Sequence, residues 1–329
     1  MFTRDITPPP PSAGATGRWN FGCFNAGILD PSFEVSGLSR FRLKEWHYTS
    51  VTTDECFFAF GIVQLGYVAN LFVYFVDRKD PTKKYEREVL MPLGVGVSMA
   101  QSSISGTTQF RQGKDSISVS YKNGWRVELD VALDKENLTG SIAFEPSESL
   151  SVLFPLSEHR PAYTHKLAGM PSTGALRFRG KTYSLDTGFA TVDWTRSLAR
   201  RHTFWKWASI AGGLADGSAF GLNLSSDVYD DAQGNSVENA VFHRGKVNLL
   251  DGVRFDVPAD PLRDLWKIRS KRSDEVDLTF EPLGARSMNL DLKVIRTQFV
   301  QPYGLYRGRV GEHKIDGLFG VVEDHDAIW

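Results

Sequence analysis

The sequence is poor in cysteine, carries almost no net charge and has little helical periodicity. Cys23 and Cys56 are the only cysteines in 329 residues. They form no Cys-x-x-Cys pair and no Cys/His cluster at zinc spacing, so neither a disulfide framework nor a structural zinc is indicated. Two buried thiols in a reducing compartment are the expectation. Lys and Arg total 38 against 39 for Asp and Glu, a net charge of −1. That balance carries no basic footprint for nucleic acid and calls for no acidic polymer as partner. His159, His165, His202, His243, His313 and His325 show none of the paired spacings of metal sites. There is no GxSxG, no Walker A loop and no dinucleotide fingerprint; Gly94-Val95-Gly96 lacks the third glycine and a following helix pattern. No metal and no cofactor is expected. Met1–Gly17 has no apolar core of a signal peptide, so the default location is cytoplasmic.

What the chain has in quantity is aromatic residues and glycine. Phe, Tyr and Trp number 22, 10 and 8, and glycine 30. Aromatic-rich segments punctuated by turn residues point to an all-β fold. Phe41–Tyr48, Ser116–Tyr121, Trp125–Leu133 and Leu138–Phe144 read as strands. Asn123-Gly124 marks a hairpin between two of them. Cys56–Val76 is a 21-residue run without charge, as long as a membrane-spanning helix. Its Phe, Tyr, Val and Ile content, broken by Gln64, Gly66 and Asn70, fits two buried strands and a turn better. Both faces of these strands are apolar. One face would line a barrel, and the other must pack on protein or lipid.

A break is expected around Leu156–Thr173, where Pro155, Pro161 and Pro171 cluster. It divides the chain into a flexible N-terminal arm (1–17), a first barrel (18–170) and a second barrel (171–329). Strands then recur at Ala175–Arg179, Lys181–Leu185, Phe189–Trp194, Phe204–Ile210, Ala219–Ser225, Asn239–Arg244, Lys246–Leu249, Val276–Phe280, Leu290–Val294 and Tyr303–Val310. Arg196–Arg201 and Pro261–Leu265 each suit one short helical turn. This rhythm is that of a sandwich or barrel. A faint repeat accompanies it. Lys44-Glu45-Trp46 and Val192-Asp193-Trp194 are each followed by an aromatic residue eleven positions after the Trp, Phe57 and Trp205. A duplicated barrel would leave such a trace.

The strings Phe189–Trp194 (FATVDW), Phe204–Ser209 (FWKWAS), Gly221–Leu224 (GLNL), Glu238-Asn239, Gly320–Trp329 (GVVEDHDAIW) and Lys44–Tyr48 (KEWHY) carry a resemblance. The chain is similar, from about Gly17 onward, to a bacterial family of unassigned function related to the carotenoid 1,2-hydratases and their tandem-lipocalin relatives. The resemblance implies two fused lipocalin-like antiparallel β-barrels with little helix, and an apolar ligand. The relatives carry an Asp-His-Trp-Gly-like motif. Here Asp193 matches its acid, Trp194 stands at the histidine, and Arg196 and Ser197 replace Trp-Gly.

Asp193 lies between apolar neighbours, which would keep a carboxyl neutral and able to protonate an electron-rich alkene. Glu45 is its first-half counterpart by the repeat. Trp46, Trp194, Trp205 and Trp207 are candidates to contact the substrate. Trp205 and Trp207 share one strand face and would stabilise a carbocation over their rings, or simply pack. Arg196, Arg200, Arg201, His202 and Lys206 form a basic cluster that reads as a solvated loop, a clamp for an anionic ligand group or a peripheral contact with anionic lipid. Glu238 and Asn239 would place a water or a ligand hydroxyl. Two functions follow. One is an enzyme hydrating, isomerising or cyclising a lipophilic isoprenoid or polyene. The other is a non-catalytic carrier of such a molecule.

Overall fold

The computed structural model describes every residue except Met1, Thr3, Ser36, Glu158, Leu292 and Val294, and every remaining side chain except those of Leu38 and Ser39. Two residues of the expected strand Leu290–Val294 therefore lie outside the described residues. The chain divides into two compact units, Met1–Ala199 and Arg200–Trp329. The fold is all-β, that of two lipocalin-like barrels, one a nearly closed barrel and the other a half-barrel sheet.

The main strands of the first unit are β1 (Leu43–Thr52), β2 (Cys56–Gln64), β3 (Val68–Asp77), β4 (Lys84–Pro92), β5 (Gly106–Gln112), β6 (Asp115–Tyr121), β7 (Trp125–Leu133), β8 (Glu136–Phe144), β9 (Arg160–Phe178) and β10 (Phe189–Leu198). They pair in the order β4-β3-β2-β1-β10-β9-β8-β7-β6-β5. The sheet curls until β4 lies against β7. The first and last strands of the barrel, β1 and β10, are thus neighbours, joined over ten antiparallel rungs from Phe189↔Thr52 to Leu198↔Leu43.

The second unit repeats the plan with β11 (His202–Gly213), β12 (Ala219–Ser226), β13 (Ala240–His243), β14 (Lys246–Leu249), β15 (Val253–Asp256), β16 (Trp266–Ser270), β17 (Val276–Asp291), β18 (Arg296–Val310) and β19 (His313–Ile328). Their order is β14-β13-β12-β11-β19-β18-β17-β16-β15. Again the first strand pairs with the last, β11 with β19.

The uncharged run Cys56–Val76 is the β2–β3 hairpin, turning at Leu65–Tyr67. Among the described residues no helix is long and apolar enough to cross a membrane. Lys44, only 1% exposed, closes the turn by donating to Leu65 O and Phe41 O, each at 2.9 Å. The Asn123-Gly124 hairpin forms as expected, with both residues at positive φ (59° and 152°).

Several expectations shift. Residue 170 lies inside β9, so the proline-rich stretch is no linker, and the boundary between compact units falls after Ala199. Residues 1–17 are tied down where described: Ile6–Thr7 pairs with Gly22–Phe24, and Ala13 is fully buried. A 3-10 helix occupies Gly37–Arg42, so the strand expected from Phe41 begins at Leu43. Arg196–Leu198 continues β10 rather than turning into a helix. Pro261–Leu265 is a turn, closed by Asp264 N donating to Asp260 O.

Alternation along β10 and its neighbours decides where chemistry can occur. Ala190, Val192, Trp194 and Leu198 face the first hydrophobic core with Phe58, Phe60, Ile62, Leu71, Val73, Phe110, Val127 and Leu129. Thr191, Asp193, Thr195 and Ser197 alternate with them and lie on the reverse face. That face is also buried: Tyr48, Phe57 and Tyr74 on it are 5%, 2% and 0% exposed.

Candidate functional site

On the reverse face of the first unit, three strands bring Asp193, Lys166 and Trp46 together. Lys166 on β9 is the direct cross-strand partner of Asp193 on β10. Its Nζ donates to Asp193 Oδ2 at 2.6 Å, and the two side chains are 5% and 11% exposed. Trp46 on β1 sits two rungs further along, opposite Thr195. Its indole Nε1–H donates to Asp193 Oδ1 at 3.2 Å. The Thr195 hydroxyl has a single hydrogen and lies nearer Thr164 Oγ1 (2.9 Å) than Asp193 Oδ1 (3.4 Å). Asp193 is therefore not the apolar-lined acid that its sequence neighbours suggest. Val192 and Trp194 point to the other face, and the carboxyl meets an ammonium and an indole. The chemistry available is that of a buried carboxylate–ammonium pair able to exchange one proton.

On the core-facing side lies a second polar group. Glu45 on β1 opposes Arg196 on β10, and Arg196 binds its Oε1 through Nε (2.8 Å) and Nη2 (2.7 Å). The same guanidinium donates to Gln101 O (2.9 Å) and Ala100 O (3.3 Å) and lies 5.3 Å from the Trp194 ring centroid. The expected equivalence of Glu45 with Asp193 therefore fails. Glu45 faces the opposite side of the sheet and is held by its own arginine. Arg196 leaves the basic cluster for the same reason. Of the remaining cluster, Lys206 pairs with Asp227 (3.3 Å), His202 with Asp326 (3.0 Å), and Arg201 donates to Trp329 O (2.6 Å).

Two rungs in from Arg196, Trp194 is flanked by His165 on β9 and His47 on β1. His165 spends both ring nitrogens on hydroxyls, Nδ1 with Ser103 Oγ (2.7 Å) and Nε2 with Ser149 Oγ (2.8 Å). His47 Nδ1 meets Thr108 Oγ1 at 3.1 Å. Burial drives the pKa of both imidazoles down to about 3, so both are neutral at physiological pH.

In the second unit, Trp205 and Trp207 do share a face, as their spacing requires. Trp205 Nε1 donates to Glu323 Oε1 (2.7 Å), and Gln301 Nε2 donates to Glu323 Oε2 (2.8 Å). Trp207 Nε1 donates to Asn223 Oδ1 (2.8 Å). Glu238 accepts from Ser225 Oγ at 2.9 Å, and Asn239 clamps Ser225 N (2.7 Å) to Asp251 O (3.0 Å). These are bonds that tie β12 to the segment before β13.

The two units repeat one arrangement. In each, a Trp on the first strand donates to one oxygen of a carboxylate on the last strand, and a side chain from the preceding strand donates to the other oxygen. The sets are Trp46–Asp193–Lys166 and Trp205–Glu323–Gln301. Trp46 thus corresponds to Trp205, not to Trp194, and Asp193 to Glu323. Sequence reasoning missed Lys166, Glu323, Gln301 and His47. A signal for Glu323 was present: Phe189-x-x-Val192-Asp193 reappears as Phe319-x-x-Val322-Glu323. Lys166 had none, because it lies in the stretch read as a break.

Cys23 and Cys56 are free and buried, and burial pushes their thiols up to about 12 and about 11. Among the described residues no three His, Cys, Asp or Glu side chains group as a metal centre would require.

Residues 4–329 match the DUF2804 family, a domain of unknown function, and the chain belongs to that family. No curated protein matches it in sequence. Among solved structures, kievitone hydratase from Nectria haematococca is similar at 11% identity, covering 90% of this chain and 93% of its own, with a TM-score of 0.52. A protein from Nitrosomonas europaea assigned as AttH is similar at 13% identity, covering 86% and 92%, with a TM-score of 0.50. The shared property is the fold, one that a hydratase also uses.

Proposed function

We propose that the chain is a hydratase-type enzyme for a lipophilic, isoprenoid or polyene-like substrate, with the Asp193–Lys166 pair supplying and recovering the proton. The supporting observation is the carboxylate and ammonium held 2.6 Å apart, both buried, on a sheet face that also carries Tyr48, Phe57 and Tyr74. The alkene π electrons take a proton from the pair, leaving a carbocation at the more substituted carbon. Water adds through its oxygen and returns its surplus proton to the pair, so the net change is one water across the double bond. Loss of a neighbouring proton instead gives isomerisation, and attack by a second alkene gives cyclisation. Trp46 fixes the carboxylate through Oδ1, and the aromatic face stabilises the cation. Glu45 takes no part in this step, because it lies on the other side of the sheet.

The carrier reading has one observation in its favour. The Trp–carboxylate–donor set recurs at Glu323 with the neutral Gln301 in place of a lysine, as a purely structural clamp would. Purified wild type and Asp193→Asn, each extracted with organic solvent and analysed by mass spectrometry, separate the two readings. Bound molecules differing by one water, or isomers of one another, support the enzyme. The same molecule in both supports the carrier and rules out Asp193 as the proton source. No bound molecule in either preparation counts against both.

A further inference from the structure

On the core-facing side of β1 and β10, three neighbouring buried polar atoms have no hydrogen-bond partner among the described residues: His47 Nε2, Trp194 Nε1 and Thr49 Oγ1. Their residues are 2%, 0% and 0% exposed. His47 and Trp194 are direct cross-strand partners, and Thr49 follows His47 on the same face of β1. A buried polar atom left unmet is costly, so three in one patch mark a place where a polar atom belongs.

The character of that atom follows from the hydrogens. Thr108 Oγ1 accepts from Ala100 N at 3.1 Å. Its own hydrogen is then free for His47 Nδ1, also at 3.1 Å. A neutral imidazole that accepts at Nδ1 carries its proton on Nε2. In that tautomer the His47 and Trp194 nitrogens are both donors. The Trp194 ring is held by an edge contact with Tyr163 (5.8 Å) and by the Arg196 guanidinium.

The rows on either side set the rest of the ligand. Towards one end come Tyr163, Arg196 and Glu45. Towards the other come Leu167, Val192 and Phe60 and then the apolar core. The donor row stands at the border between the two. We propose that the first barrel binds an oxygenated lipophilic molecule, its apolar body among the core side chains and its carbonyl or hydroxyl oxygen accepting from His47 Nε2–H and Trp194 Nε1–H. This goes beyond the function proposed for Asp193, whose side chain points to the opposite face of the same strand.

The probes are geranial, a lipophilic aldehyde, and the hydrocarbon of the same skeleton without the oxygen. Each is titrated into the full-length chain while the indole N–H resonance of Trp194, assigned by Trp194→Phe, is followed by NMR. Geranial is expected to bind at least about tenfold more tightly than the hydrocarbon and to move that resonance. His47→Phe and Trp194→Phe should each lose about tenfold of this preference. Equal affinities, geranial binding that leaves the Trp194 indole in place, or no binding of either probe overturns the proposal; an internal water that satisfies the donors gives the second of these. The preference is read first in the wild type, so a variant that fails to fold does not remove the test. Binding is read without turnover, so an inert Asp193 leaves the result standing.

Discussion

At the scale of single residues, the Asp193–Lys166 pair is the most exacting arrangement in the first unit. Two buried charges stabilise a fold little beyond a well-packed apolar pair, but removing one partner strands the other and costs about 3–5 kcal/mol. Lys166→Met should therefore lower stability by about that amount in urea titrations, because among the described residues the Trp46 indole is then the one donor left within 3.2 Å of Asp193. Asp193→Asn combined with Lys166→Met should recover most of the loss. A double variant no better than the single would show that the cost lies in packing rather than charge. Asp193 and Trp46 stand out in the sequence through the acid–Trp pairs Glu45-Trp46 and Asp193-Trp194 and the strings that carry the family resemblance. Lys166 does not, because a lysine's burial depends on a carboxylate 27 positions away. The surroundings of Asp193 were misread for the same reason: its sequence neighbours face away, and its spatial neighbours come from other strands.

At the scale of elements, prolines misled the reading. Pro155 and Pro161 stand directly opposite one another across the pairing of Leu150–Ser157 with β9, so their missing donors fall on one rung. Pro171 follows the irregularity between Ala168 and Met170. A long strand thus continues through what reads as a break. Pro282 on β17 is handled similarly, by a bulge between Pro282 and Gly284 opposite Gly304 on β18. A Cβ on Gly304 would run into the backbone of Glu281 and Leu283, whereas one on Gly212 would meet only the flexible end of Leu318. Gly304→Ala should thus cost about 3 kcal/mol or more and Gly212→Ala about 1 kcal/mol or less. Thermal denaturation of the two variants checks the contrast, and equal costs would show that the bulge yields easily. The hairpins β2–β3 and β6–β7 were read correctly because their turn residues and flanking patterns agree. β4 and β5 escaped notice because charged and polar residues dilute their alternation, and β15 and β16, which alternate cleanly, because they are only four and five residues long.

At the scale of the whole molecule, acid should weaken the fold before the carboxylates titrate. His47 and His165 bind protons in the folded chain only near pH 3, against 6.5 for an unburied imidazole. The unfolded chain binds more protons throughout that window, so stability falls as pH drops below about 6.5, by roughly one kcal/mol per pH unit for each histidine. Urea midpoints measured between about pH 7 and pH 5 should show this slope, and His47→Gln should reduce it by about half. A flat profile would mean that protonated imidazoles are accommodated. The all-β class and its duplication were legible from period-two strands and recurring turns. The register of the duplication was not, because Trp46 and Trp205 are matched by the carboxylates they bind on distant strands, not by the residues beside them. That pairing of first strand with last also bears on synthesis. Trp46 and Asp193 are 147 positions apart. At translation rates of about 5–20 residues per second, the apolar β1–β2 hairpin waits about 7–30 s on the ribosome before β10 arrives to cover its open edge. Over that interval the nascent chain exposes a sticky template, and the yield of folded protein should depend on chaperones that shield it.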